Sequence, residues 1–96
     1  MRESQLEQKL VNAVSRIGGA APKWVSPGNT GVPDRIVILP GGKTAFVEMK
    51  APGKALAPMQ KEWAAKLESL GHKVYKIDSL AGIDSFIADC KRGDAE

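Results

Sequence analysis

A chain of 96 residues with one cysteine, Cys90, has room for one domain with a modest core and no internal disulfide, so residues 1–96 are expected to fold as a single unit in a reducing cytoplasm. Apolar residues make up 43% and charged residues 26%; no apolar run is long enough to cross a bilayer, and the polar N-terminus MRESQLEQ does not read as a secretory signal. The net charge of +3 is uneven: residues 1–76 carry 12 Lys/Arg against 6 Asp/Glu, whereas residues 77–96 carry 2 against 5. A polyanion would meet the first three quarters of the chain, although modest positive charge alone does not identify such a partner.

In chain order, residues 4–17 read as an amphipathic helix, with Leu6, Leu10, Val14 and Ile17 at helical spacing, Ser4 as its cap and Gly18-Gly19 as its end. Residues 23–26 suit a short strand, and residues 27–33, rich in Gly, Pro and Asn, a loop. Residues 34–39 and 43–49 are β-branched and apolar enough for two strands, joined by Pro40-Gly41-Gly42 as a hairpin. After a loop over 51–57, Pro58 opens a helix to Leu70, stopped by Gly71, with Met59, Trp63, Leu67 and Leu70 as its inward stripe. Residues 73–77 form a further strand. Ser79 then caps a last helix with Leu80, Ile83, Ile87 and Cys90 inward. The order α-β-β-β-α-β-α defines a compact α/β domain with a mixed sheet.

The hairpin carries the chemistry. Strand alternation puts Glu48 and Lys50 on one face and Met49 on the other. If residues 40–42 form a three-residue turn, Leu39 pairs with Lys43 and Asp34 lies opposite Glu48; a two-residue turn places Asp34 opposite Met49 instead. In the first register two carboxylates stand roughly 5 Å apart at Cβ, an unfavourable pairing unless a cation neutralises it. The available donors are oxygens, including the Met49 backbone carbonyl, which suit Mg²⁺ or Mn²⁺. Lys50 brings a positive charge that can orient an attacking water or stabilise charge on a phosphate. The same residues would also fit an exposed strand on which Lys50 merely ion-pairs with the acids.

The ordered set Gly31-Val32-Pro33-Asp34, then Phe46-Val47-Glu48-Met49-Lys50-Ala51-Pro52, then Gln60-Lys61-Glu62-Trp63 resembles the VRR-NUC family of the PD-(D/E)XK nuclease superfamily, from about residue 3 to 77. Pro33-Asp34 looks like the PD element and Glu48-Met49-Lys50 like ExK. The resemblance implies a restriction-endonuclease-like αβββαβ core, to which this chain adds a C-terminal helix. It implies Mg²⁺- or Mn²⁺-dependent endonucleolytic hydrolysis of DNA phosphodiester bonds. It also implies metal ligation by Asp34, Glu48 and the Met49 carbonyl, with Lys50 as the catalytic lysine. A first-helix glutamate beside the metal is implied as well, for which Glu7 is preferred and Glu3 is the alternative. Gln60 matches a glutamine that helps position the site. Stand-alone members of this length resemble phage-encoded proteins, some acting on branched DNA such as four-way junctions, and compact nucleases of the superfamily commonly pair as homodimers. The alternative is a non-catalytic nucleic-acid-binding or assembly module on the same fold.

Outside the hairpin, Ser26, Gly28 and Asn29 lie in a loop whose backbone donors could approach a phosphate, and Lys23, Arg35, Lys54 and Lys61 are candidate DNA contacts. His72, the only histidine, sits between a helix stop and a strand and suits a strand-end role better than catalysis. One Cys and one His cannot build a structural zinc site, and no phosphate-binding glycine motif appears.

Overall fold

In the computed structural model, which describes residues 1–93, six elements follow in the order α1 (Glu3–Arg16), β1 (Arg35–Leu39), β2 (Lys43–Met49), α2 (Pro58–Ser69), β3 (Val74–Ile77) and α3 (Leu80–Arg92). β1 and β2 pair antiparallel and β2 and β3 parallel, giving a mixed sheet in the order β1-β2-β3. Period-2 alternation divides the sheet residues between two faces. Val37 and Leu39 of β1, Ala45, Val47 and Met49 of β2, and Ile77 of β3 join Leu6, Leu10, Ala13 and Val14 of α1 and Ile83 and Phe86 of α3 in one buried core. The other face carries Phe46, Glu48 and Lys50, partly covered by α2. Phe86, absent from the expected inward stripe of α3, is among the largest fully buried side chains; Tyr75 packs edge-on against it at 4.7 Å.

The expected elements form, with local corrections. α1 begins one residue early. Arg2 rather than Ser4 is its cap position, and the Arg2 N–H donates to Gln5 Oε1 (2.9 Å). Ser79 does cap α3, accepting from the Gly82 N–H at 3.0 Å. The short strand expected over 23–26 is not a strand. Instead the chain over 20–24 follows the outer edge of β1 through isolated bridges, Ala20 with Ile38 and Lys23 with Arg35. Pro22 has no N–H to give, so a regular ladder cannot form there; only its carbonyl takes part, accepting from Ile36 at 3.1 Å. Gly19 admits the close approach, because a Cβ there would lie 2.7 Å from the Ile38 carbonyl. In α2 only Leu67 of the expected stripe is buried; Met59 and Leu70 are exposed and Trp63 is half-buried. Leu80 of α3 is likewise exposed.

Candidate active site

Pro40, Gly41 and Gly42 form a three-residue turn, with both glycines at positive φ, and the pairing Leu39↔Lys43 follows. The ladder then runs to Arg35↔Val47, so Asp34, one step before β1, takes the position opposite Glu48. Buried Pro33 fixes the approach of the chain to Asp34. The Asp34 carbonyl accepts from the Trp24 N–H at 2.8 Å, and its carboxylate Oδ2 accepts from the Met49 N–H at 2.9 Å. Asp34 is thus held across the mouth of the hairpin at both its backbone and its side chain.

Glu48 is 4% exposed, unusual for a carboxylate. Its Oε2 accepts from Gln60 Nε2 at 2.7 Å and lies 3.9 Å from Lys50 Nζ. Its Oε1 is buried with no hydrogen-bond partner among the described residues. Burial, and then the neighbouring Asp34 charge, push the Glu48 carboxyl up to about 7, against the opposing pull of Lys50. A buried carboxylate oxygen lacking a donor, on an acid beside a second acid, has the chemistry to accept a cation. The donor set of Asp34, Glu48 and the Met49 carbonyl is all oxygen and fits a hard divalent ion. Gln60 stands at the start of α2 and does two things: its Oε1 accepts from the Ala57 N–H at 2.8 Å, closing the helix end, while its amide N–H holds Glu48.

The other sequence-derived residues divide. Glu7 does lean toward the sheet, but its carboxylate is taken by Arg35, whose Nη2 lies 2.7 Å from Glu7 Oε1. Among the described residues no three Asp, Glu, His or Cys side chains group around a possible metal position, so neither Glu7 nor exposed Glu3 completes a carboxylate cluster there. Arg35 is likewise not an open phosphate contact. It has the parity of Val37 and Leu39 and points into the helix layer, away from Glu48. Ser26 and Asn29 bond to each other, Asn29 Nδ2 donating to Ser26 Oγ at 2.9 Å, while Gly28 is open to solvent. Lys23, Lys54 and Lys61 are exposed. The loop 51–57 that follows Lys50 is fastened to the end of β3, with the Gly53 N–H donating to Asp78 and Lys76 Nζ donating to the Lys54 carbonyl (3.2 and 3.1 Å).

Sequence reasoning missed one feature of this face. Phe46, two residues before Glu48, lies beneath Trp24 (ring centroids 5.4 Å) and is met edge-on by His72 (5.4 Å), and Trp24 meets Trp63 at 6.2 Å. This second small core anchors α2 beside the carboxylates. The strand parity shared by Phe46 and Glu48 was the available signal.

A mixed sheet whose hairpin presents two acids and a lysine beside the end of a helix is the arrangement expected of a nuclease domain, and the comparisons with known proteins place the chain in that class. The VRR-NUC domain family model matches residues 1–80. A protein of Acyrthosiphon pisum secondary endosymbiont phage 1 named "Putative nuclease p44" is 53% identical over 79 residues, covering 82% of this chain and 85% of that protein. A solved VRR_NUC domain superposes with a TM-score of 0.85 at 28% identity, covering 90% of this chain and 94% of that one. The chain belongs to the VRR-NUC family of nuclease domains.

Proposed function

We propose that the protein is a divalent-metal-dependent endonuclease that hydrolyses DNA phosphodiester bonds, with branched DNA such as a four-way junction as its preferred substrate and a homodimer as its working form. The observation that carries the metal reading is Glu48 Oε1, a buried carboxylate oxygen with no hydrogen-bond partner among the described residues. Asp34, Glu48 and the Met49 carbonyl would hold Mg²⁺ or Mn²⁺, which when bound would polarise a phosphoryl oxygen and acidify a water.

The chain's own residues supply the rest. Asp34 is fixed by the Met49 N–H and Glu48 by Gln60, so the two acids meet the ligand without a search over rotamers. Lys50 shares the Glu48 face and keeps its ammonium 3.9 Å from that carboxylate, in position to orient the attacking water and to balance charge on the phosphate. As the water oxygen bonds to phosphorus and gives up one proton to solvent, the bond to the leaving deoxyribose oxygen breaks and that oxygen takes up a proton from solvent. Lys23, Lys54 and Lys61, with the open backbone at Gly28, would grip the flanking phosphates.

An acid pair within a basic surface, Glu48 buried and Asp34 half-buried, favours cleavage over binding alone, because an acid opposite a phosphate weakens binding unless a cation lies between them. The test is cleavage of labelled linear, flap and four-way DNA with Mg²⁺, Mn²⁺ or EDTA. Cleavage with either metal and none in EDTA is the expected result. Binding without cleavage under every condition would instead establish a non-catalytic module.

A further inference from the structure

The Glu7–Arg35 pair is engaged with itself and with the backbone rather than with the two acids of the hairpin. Arg35 Nε and Nη2 both donate to Glu7 Oε1, at 3.0 and 2.7 Å, and Nη1 donates to the Ala21 carbonyl at 2.8 Å. The side chains are only 15% and 18% exposed. One guanidinium therefore ties together α1, the irregular segment over 20–24 and the first residue of β1.

Asp34 lies inside that knot. Its carbonyl accepts from Trp24 on the same segment, and Ile36, two residues on, donates to Pro22. Because Pro22 contributes no N–H, the backbone ladder between 20–24 and β1 is broken at its middle. The Arg35 side chain bridges the break by bonding to Ala21. Strand parity sets Arg35 on the helix face and Asp34 on the Glu48 face, so the clamp acts from behind the sheet.

We propose that Glu7 and Arg35 are positioning residues that hold the backbone of Asp34 in place for cation binding. This rests on the reading that Asp34 and Glu48 hold a divalent ion. Glu7 does not join those two acids in a group of three, and a forked, charge-assisted pair this well enclosed would leave an uncompensated charge if either side chain turned away.

The two roles give opposite effects on removal of Arg35. A Glu7 ligand restrained by Arg35 would be released, and metal affinity would hold or rise. A clamp would be lost, and affinity would fall. The experiment is calorimetric titration of the full, EDTA-stripped chain with MnCl₂, at a temperature where each variant is folded by circular dichroism. Arg35→Ala is expected to weaken Mn²⁺ binding by about tenfold or more, as removal of groups that orient ligands commonly does. Glu7→Gln, whose amide oxygen still accepts from Arg35, is expected to stay close to the wild type, while Glu7→Ala follows Arg35→Ala. A purely structural pair would lower the melting temperature and leave the affinity of the folded protein unchanged.

Wild-type or tighter binding by Arg35→Ala overturns the proposal, as does a loss in Glu7→Gln equal to that in Glu7→Ala. Should Arg35→Ala not fold, Arg35→Lys decides the matter. It keeps a cation for Glu7 but loses the fork to Ala21, and weaker binding supports the clamp while unchanged binding defeats it. Asp34→Asn separates the two levels. If it binds Mn²⁺ like the wild type, the metal reading has failed and the proposal falls with it; if it loses binding while Arg35→Ala does not, only the clamp has failed.

Discussion

Glu48 is held where its charge is poorly solvated, and this has a measurable consequence for stability. Its folded pKa is raised from 4.5 to about 7 by burial and by Asp34. The folded state therefore binds a proton more tightly than the unfolded one, and metal-free stability is greatest below the unfolded value and declines as pH rises through the folded value. Urea unfolding in EDTA should give a stability that falls between pH 4.5 and 7, by on the order of 2–3 kcal/mol. Added Mg²⁺ should restore much of it above pH 7. Glu48→Gln removes the buried charge while leaving an amide that Gln60 can still meet. That variant should equal the wild type near pH 4, exceed its stability above pH 7 in EDTA, and show no cleavage. An equally steep pH dependence in Glu48→Gln would locate the effect elsewhere. Lys50→Ala should keep Mn²⁺ affinity and lose turnover by at least about a hundredfold, in single-turnover cleavage. At this scale the sequence was legible through one piece of arithmetic: a three-residue turn sets Asp34 opposite Glu48. The same parity places Arg35 on the helix face, but the partners waiting there, Glu7 and Ala21, lie 28 and 14 residues away, and no local pattern announces a contact of that range.

α2 depends on its first turn more than on its apolar stripe, since Leu67 is its only buried residue. Periodicity placed the helices well because capping, proline at the first turn and glycine stops are local signals. It misjudged Met59 and Leu70 because exposure depends on where the helix lies on the sheet. α2 sits over the Phe46 face near its N-terminal end, where Trp63 meets Trp24 and Gln60 reaches Glu48. Phe86 was legible, since it follows Ile83 by three residues and shares its helical face; the structure buries it there against Tyr75, while Ile87, one step round the helix, is only half-buried. The strand expected over 23–26 failed on Pro22, which leaves the segment bonded to β1 without a continuous ladder. Two substitutions test how α2 serves the site. Gln60→Glu keeps an oxygen for the Ala57 N–H but replaces the donor to Glu48 with a like charge; it should retain most of the stability and lose activity. Gln60→Ala should lose both, with about 1 kcal/mol of stability for the cap. Near-wild-type turnover in Gln60→Glu would restrict Gln60 to capping. Gly31 joins the loop to the same helix. At φ +97° a Cβ would lie 2.6 Å from the backbone of Met59, so Gly31→Ala should destabilise by roughly 1–3 kcal/mol and push the Ser26–Asn29 turn away from α2. An unchanged melting temperature would show that the loop and helix yield to each other freely.

At the scale of the whole molecule, the positive charge lies ahead of residue 77, where the site is, and the acidic excess follows it. Binding to DNA should weaken with salt at a slope of about −0.9 in log K per phosphate neutralised, near −3 if Lys23, Lys54 and Lys61 each hold one, and Lys54→Ala should reduce the slope by about 1. A flat dependence would exclude a backbone grip by these lysines. The described residues hold one hairpin of acids with Lys50, and the site proposed there would cut one strand at a time. Opposed strands of a junction, or both strands of a duplex, are most simply cut by two copies related by a two-fold axis, the commonest oligomer symmetry. The fold leaves room for this. The outer edge of β1 is occupied by the chain over 20–24, whereas β3 ends the sheet with β2 as its only strand partner among the described residues. On the site side, Val25 is 78% and Met59 48% exposed, and these flank the half-buried Trp24 and Trp63. A short domain with an open strand edge and an exposed apolar patch gains from covering one of them. Sedimentation equilibrium at micromolar concentration, without DNA and with a four-way junction, should therefore return a dimer, or a monomer that becomes two chains per junction. One chain per junction in a complex that still cleaves would defeat the dimer, and each cut would then be an independent nick, with the product of the first released before the second.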